Sequence, residues 1–292
     1  MRSLRCPPPL RSPSLASPRP STPFAARPPR SHYDPKTCGL DLDGMASDFK
    51  LAAPGSIIVF HACAHNPSGV DPTAEQWGAI AKMVAEKKFV PLVDAAYQGL
   101  ASGSFDADGV GARMLAKIPK IEMLCVQSFS KIMGLYSERC GCLSILSTDA
   151  AHAERVRQEI CKHVRQTYSS PPSHGAAIAT EILGDPTRFS AWATELGTMA
   201  DRIMGMRTSL HDALVKIDCP PPSNTNHGSW GHILSQRGMF SYTGLTAEQT
   251  DHMQKHNAVY LLRDGRISMS GLNHETCNHL AHAMKAAILA LP

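Results

Sequence analysis

From residue 56 onward, short apolar runs alternate with longer stretches in which apolar positions recur at helical spacing. "SIIVFHA" (56–62) has the length and bounded apolar character of a buried strand. In "TAEQWGAIAKMVAEKK" (73–88), Trp77, Ile80, Ala81 and Val84 share one helix face, and Thr73 with Gln76 has capping-box spacing. "FVPLVD" (89–94) predicts a second strand, residues 109–117 a helix, "IEMLCVQ" (121–127) a third strand and "GCLSIL" (141–146) a fourth. Helical patterns occupy 149–165, 173–183 and 186–214. Beyond about residue 217 come the strand "GMFSY", a second Thr-Ala-Glu-Gln cap at 246–249, the apolar segment "AVYLL" (258–262), the turn "RDG", the strand "RISMS" and a closing helix at 276–290.

Strands and helices in this alternation predict an α/β fold, a mainly parallel sheet covered by helices on both faces, followed by a smaller C-terminal α+β domain. The expected divisions are a leader over 1–31, a large domain over 32–200 and a small domain over 201–292. The leader holds nine prolines, six arginines and six serines with no acidic residue or periodicity, so it cannot bury a core and is expected to be disordered. Its composition is also that of an organellar transit peptide, although the prolines oppose an amphipathic helix.

Composition narrows the function classes. A chain of 292 residues, 43% hydrophobic and 18% charged, suits one large or two ordinary soluble domains. Its longest apolar runs, such as "SIIVFHACA" and "MKAAILAL", fall far short of the ~20 residues of a membrane-spanning helix, so no membrane partner is expected. Six of the 29 basic residues are the leader's arginines; the remaining 23 face 25 acidic residues, which gives no argument for nucleic acid. Nine scattered cysteines without a CxxC pair read as small buried hydrophobes in a reducing compartment. The pairs His252/His256 and His279/His282 have helical spacing but no third ligand nearby in sequence, so no metal is expected.

Candidate chemistry gathers at strand ends, where open parallel sheets bind ligands. Asn66 follows the first strand, Asp94 and Tyr97 the second, and Lys131, within "SFSKIMGLYSER" (128–139), the third. An amine, a carboxylate, an amide and a phenol are what a pyridoxal phosphate site requires: the amine joins the aldehyde, the carboxylate pairs with the pyridinium nitrogen, and the amide and phenol bond the ring oxygen. Ser128, Ser130 and Arg139 would cradle the phosphate, the arginine through its bidentate fork. Taken singly, a lysine after a strand is usually a surface residue and an Asn-Pro pair a turn; the ordered set carries the information.

Through "YDPKTCGLDLDGM", "HACAHNPSGVDPT", "DAAYQGLASG", "SFSKIMGLYSER", "YSSPPSHGA", "MADRIMGMRTSL", "QRGMFSYTGL" and "GRISMSGL", the chain closely resembles the aspartate aminotransferases, fold-type I enzymes that use pyridoxal 5'-phosphate. The resemblance covers about residues 32–292 and implies reversible amino transfer from L-aspartate to 2-oxoglutarate, giving oxaloacetate and L-glutamate. It implies Lys131 as the cofactor-bound lysine and proton shuttle, Asp94 as partner of the pyridine nitrogen, Asn66 and Tyr97 as partners of the ring oxygen, and Ser128 and Arg139 as phosphate ligands. Arg266 matches the arginine that binds the substrate's α-carboxylate. Arg165 matches the one that binds the distal carboxylate, reaching the site from the second subunit of a homodimer. Ser68 and Ile132 depart from the commoner threonine and asparagine without touching those groups. Family members are longer and the match begins partway into them, so an N-terminally truncated member is expected, with apolar sheet surface and unpaired edges left exposed. The alternative is a shortened paralogue that binds the cofactor or a partner subunit without turnover. The expected compartment is the cytoplasm, with mitochondrion or plastid as alternatives.

Overall fold

Capped helices and short apolar runs fold as their patterns direct. A computed structural model describes residues 32–222 and 228–292; the leader predicted over 1–31 lies outside the described residues. β1 (Tyr33–Asp34) and β2 (Gly39–Leu40) form a small antiparallel ladder ahead of α1 (Leu42–Leu51). Then come β3 (Ile57–His61), α2 (Ala74–Lys87), β4 (Val90–Asp94), α3 (Phe105–Asp108), α4 (Val110–Ala116), β5 (Met123–Ser128), the single turn α5 (Phe129–Ile132) and β6 (Gly141–Leu146). Three helices follow, α6 (Ala150–Thr167), α7 (His174–Gly184) and α8 (Pro186–Lys216). The remainder holds α9 (His232–Ser235), β7 (Phe240–Tyr242), α10 (Ala247–Asn257), β8 (Arg266–Ser268), a 3-10 turn at Met269–Gly271 and α11 (His274–Ala290). Both predicted capping boxes form, at Thr73/Gln76 and Thr246/Gln249.

The main sheet runs β3-β4-β5-β6. Its first three strands are parallel, whereas β6 lies antiparallel to β5. The connection from Ser128 to Gly141 holds one helical turn, less than the crossover a parallel return needs. Near the C-terminus, "AVYLL" forms no strand. Ala258 ends α10 in the left-handed conformation, and β8 takes β7 as its partner, pairing Arg266 with Tyr242.

One sheet face is covered by α1, α2 and α4. Phe49, Phe60, Trp77, Ile80, Val84, Phe89, Val93 and Met123 are buried there, and Phe60 meets Trp77 edge-on at 5.9 Å. The opposite face is left partly open: Ile57, Val59, Val126 and Leu143 are 48, 60, 38 and 45% exposed. Strand alternation and register place all four on that side. Helices on both faces are therefore not found along this stretch, among the described residues.

A second core forms where the loops after β3 and β4 meet α8, α10 and α11, with Tyr97, Leu100, Leu196, Leu210, Met253 and Met284 buried. Helix α8 runs unbroken through residues 200 and 201. Its fully buried Arg207 donates to the carbonyls of Ile233, Gly238 and Phe240 at 3.0, 2.8 and 2.6 Å, which fixes the approach to β7. Among the described residues no helix is long and apolar enough to cross a membrane.

Candidate active site

Parallel pairing brings the carboxyl ends of three strands side by side: His61 ends β3 opposite Asp94, and Asp94 ends β4 opposite Val126 of β5. The loop after β3 is closed by its own polar groups. The Asp71 carboxylate accepts the Ala64 and His65 amides at 2.6 and 2.9 Å, His65 Nδ1 bonds the Ser68 hydroxyl at 2.7 Å, and the Asn66 amide donates to His61 Nδ1 at 3.2 Å. Gly69 completes the turn at φ +69°, where a Cβ would stand 2.8 Å from the Phe240 carbonyl oxygen. Burial pushes the Asp71 carboxyl up even though two amides hold its charged form. Burial, with the His61 ring tilted against it at 4.6 Å, pushes His65 down to about 4.

That closed loop holds Asn66 with its amide facing two partners. Asn66 Nδ2 donates to the Tyr97 hydroxyl at 3.2 Å, and Arg266 Nη1 donates to Asn66 Oδ1 at 3.1 Å, across 200 residues of chain. The Arg266 guanidinium lies 4.9 Å from the centroid of Phe240, whose ring stands edge-on to Tyr97 at 6.4 Å. Lys131 Nζ lies 4.8 Å from the Tyr97 ring centroid. Lys131, Tyr97, Asn66 and Arg266 thus form one connected network, with Phe240 bracing two of its members. Burial raises the pKa of the Tyr97 phenol; the Asn66 bond and Arg266 oppose the shift, while Asp94 and Tyr136 add to it.

The other predicted residues divide into two groups. Asp94 sits at the same sheet edge, its carboxylate oriented by the Ala96 amide at 3.0 Å. Ser128 caps α5 by accepting the Ser130 amide at 3.3 Å, and Ser130 is buried one residue before Lys131. Arg139 and Arg165 lie outside the network and are exposed. Arg139 donates to the Tyr136 carbonyl at 3.0 Å, and Arg165 to the Ser169 hydroxyl at 2.7 Å. Two contributors are missing from the sequence reading. Phe240 resembles any apolar strand residue, and His61 is marked only by sharing a sheet face with Asp94.

The sequence matches the family model of aminotransferase class I and II over residues 27–284. The chain belongs to that family. Aspartate aminotransferase 1 of Medicago sativa is 47% identical over 257 residues, 88% of this chain and 60% of the relative. Among solved structures, the broad-specificity aminotransferase of Leishmania mexicana superposes with a TM-score of 0.83 at 43% identity, covering 88% of this chain and 62% of that one. The aromatic-amino-acid aminotransferase of Burkholderia pseudomallei, covalently bound to pyridoxal phosphate, gives 0.83 at 37% identity, covering 88% and 62%. Relatives from rice, Lupinus angustifolius and Arabidopsis thaliana are named cytoplasmic, mitochondrial and chloroplastic aspartate aminotransferases respectively. The chain spans between 54% and 62% of the length of those curated relatives.

Proposed function

We propose that this chain carries an aspartate aminotransferase site, acting with pyridoxal 5'-phosphate to exchange the amino group between L-aspartate and 2-oxoglutarate. The observation that supports it most is the network linking Lys131, Tyr97, Asn66 and Arg266, in a member of this family. The donor set fits the cofactor: an amine beside a phenol, a carboxylate held by a backbone amide at the same edge, and hydroxyls at the start of a helical turn.

When bound, pyridoxal phosphate supplies an aldehyde that takes up the amino group and a ring that withdraws electrons from the substrate's α-carbon. In this reading Lys131 Nζ anchors the cofactor and carries the proton to and from the α-carbon. Asp94 would hold a proton on the pyridine nitrogen, Tyr97 and Asn66 would bond the ring oxygen, and Ser128, Ser130 and Arg139 would hold the phosphate. Arg266 binds the α-carboxylate. Its bond to Asn66 and its position over Phe240 orient the guanidinium before substrate arrives. Arg165, from the second copy in a homodimer, is assigned the distal carboxylate, because burying that charge unpaired would cost several kcal/mol. The local bonds of Arg139 and Arg165 favour a second reading, in which the chain binds cofactor or a partner subunit without turnover. Eight free cysteines among the described residues suit a reducing compartment, and we assign the cytoplasm.

Visible absorbance after adding pyridoxal phosphate, recorded for the parent and Lys131→Ala and followed by transamination assays with aspartate and with alanine, tests this. The parent should show a lysine-dependent band and prefer aspartate, and the variant should lose both. A variant retaining near-parental turnover would defeat the assignment. A band without turnover in the parent would favour the second reading.

A further inference from the structure

The backbone that carries Lys131 is a helix of four residues, too short to satisfy its own polar groups. Ser128 and Cys140 hold its start, through the Ser130 and Phe129 amides. The Phe129 and Lys131 carbonyls accept from the Met133, Leu135 and Gly134 amides. The carbonyl of Ile132, immediately after Lys131, accepts instead from the indole N–H of Trp192, at 2.7 Å and 60 residues away in sequence.

Trp192 is itself well held. Its ring lies tilted against Phe105 with centroids 4.8 Å apart and meets Phe189 edge-on at 5.7 Å. One turn further along α8, Leu196 packs against the loop that carries Tyr97, so closely that a Cβ on Gly99 would stand 2.2 Å from its Cδ2. Residues one turn apart on one helix thus contact both the lysine turn and the tyrosine loop.

We infer that Trp192 is a positioning residue: its N–H, bonded to the Ile132 carbonyl, fixes the Lys131 turn against α8 and so sets where the amine stands over Tyr97. The proposed function enters only through the cofactor that the amine would take. The bond itself is a property of the chain alone. If Trp192 served only as packing, a ring without the N–H would replace it.

Trp192→Phe keeps the aromatic cluster and removes the donor, and Phe189→Leu loosens the cluster and keeps the bond. Amide hydrogen exchange, read by mass spectrometry on the full cofactor-free chain, should rise roughly 3- to 10-fold at residues 133–135 in Trp192→Phe. Phe189→Leu should leave that segment unchanged. Each protein is then incubated with pyridoxal phosphate, whose aldehyde condenses with an amine and releases water, and the product is reduced with borohydride. The share of label on Lys131 relative to other lysines should fall by a similar factor in Trp192→Phe only. Unchanged exchange at 133–135, or a rise shared equally by the whole chain, would overturn the inference. Should Trp192→Phe not fold, solvent exchange of the three indole protons in the parent decides: one slowly exchanging indole beyond the buried Trp77 and Trp230 upholds the bond, and its absence overturns it. A parent that takes no label on Lys131 would count against the proposed function, while the exchange result would still stand.

Discussion

His65 shows how a single half-buried group ties the loop after β3 to pH. Burial and the neighbouring His61 hold its pKa near 4, below the ordinary 6.5. As pH falls the unfolded chain takes up the proton first, so stability declines from pH 6.5 towards 4 and levels off below. His61 shifts in the same direction, and Asp71, pushed up by burial, acts in the opposite sense at the acid end. The contribution of His65 between pH 7 and pH 5 is roughly 2 kcal/mol. Urea unfolding at the two pH values should show a larger drop for the parent than for His65→Gln; identical drops would place the titration elsewhere. At this scale the site was legible where chemistry follows a strand: Asn66, Asp94, Tyr97 and Lys131 all declare themselves by ending apolar runs. Arg266 stands 200 residues from Asn66, and only its motif links the two. Phe240 was hidden because an aromatic ring in an apolar strand looks the same whether it fills a core or braces a guanidinium.

Among the elements, the Tyr97 loop tolerates little change. Gly99 adopts φ +94°, and a Cβ there would lie 2.2 Å from Leu196 and 3.1 Å from Phe105. Left-handed strain and overpacking add, so Gly99→Ala should cost about 2–4 kcal/mol of folding free energy. Chemical denaturation checks this, and a loss below 1 kcal/mol would mean that α8 can retreat from the loop. Helices with capping boxes and a continuous apolar face were readable from sequence because cap, period and end signal agree, as in Thr73–Lys87. Strand direction was not: "GCLSIL" specifies an apolar strand, and only the short connection before it decides that it runs antiparallel.

For the whole molecule, the partly open sheet face matters most. Ile57 and Val59 project from β3, which lies at the sheet's edge among the described residues, beside Val126 and Leu143. Exposed apolar surface on an unpaired edge favours association with other sheets. Replacing Val59, 60% exposed, with lysine should change stability by no more than about 0.5 kcal/mol and reduce light scattering on concentration. A large loss of stability would show that this side chain is covered in solution. The expectation of bare apolar surface came from the length of the resemblance, since nothing within β3 distinguishes a covered strand from an uncovered one. Helix α8 acts across the same distance in another way. At 1.5 Å per residue its 31 residues measure about 46 Å, with Trp192 touching the lysine turn near one end and Arg207 gripping the approach to β7 further on. The separation between the Lys131 amine and the Arg266 guanidinium is therefore gauged by one rod. A single residue gained or lost between those contacts would turn one end of the site by about 100° relative to the other, so the helix can vary in composition far more freely than in length.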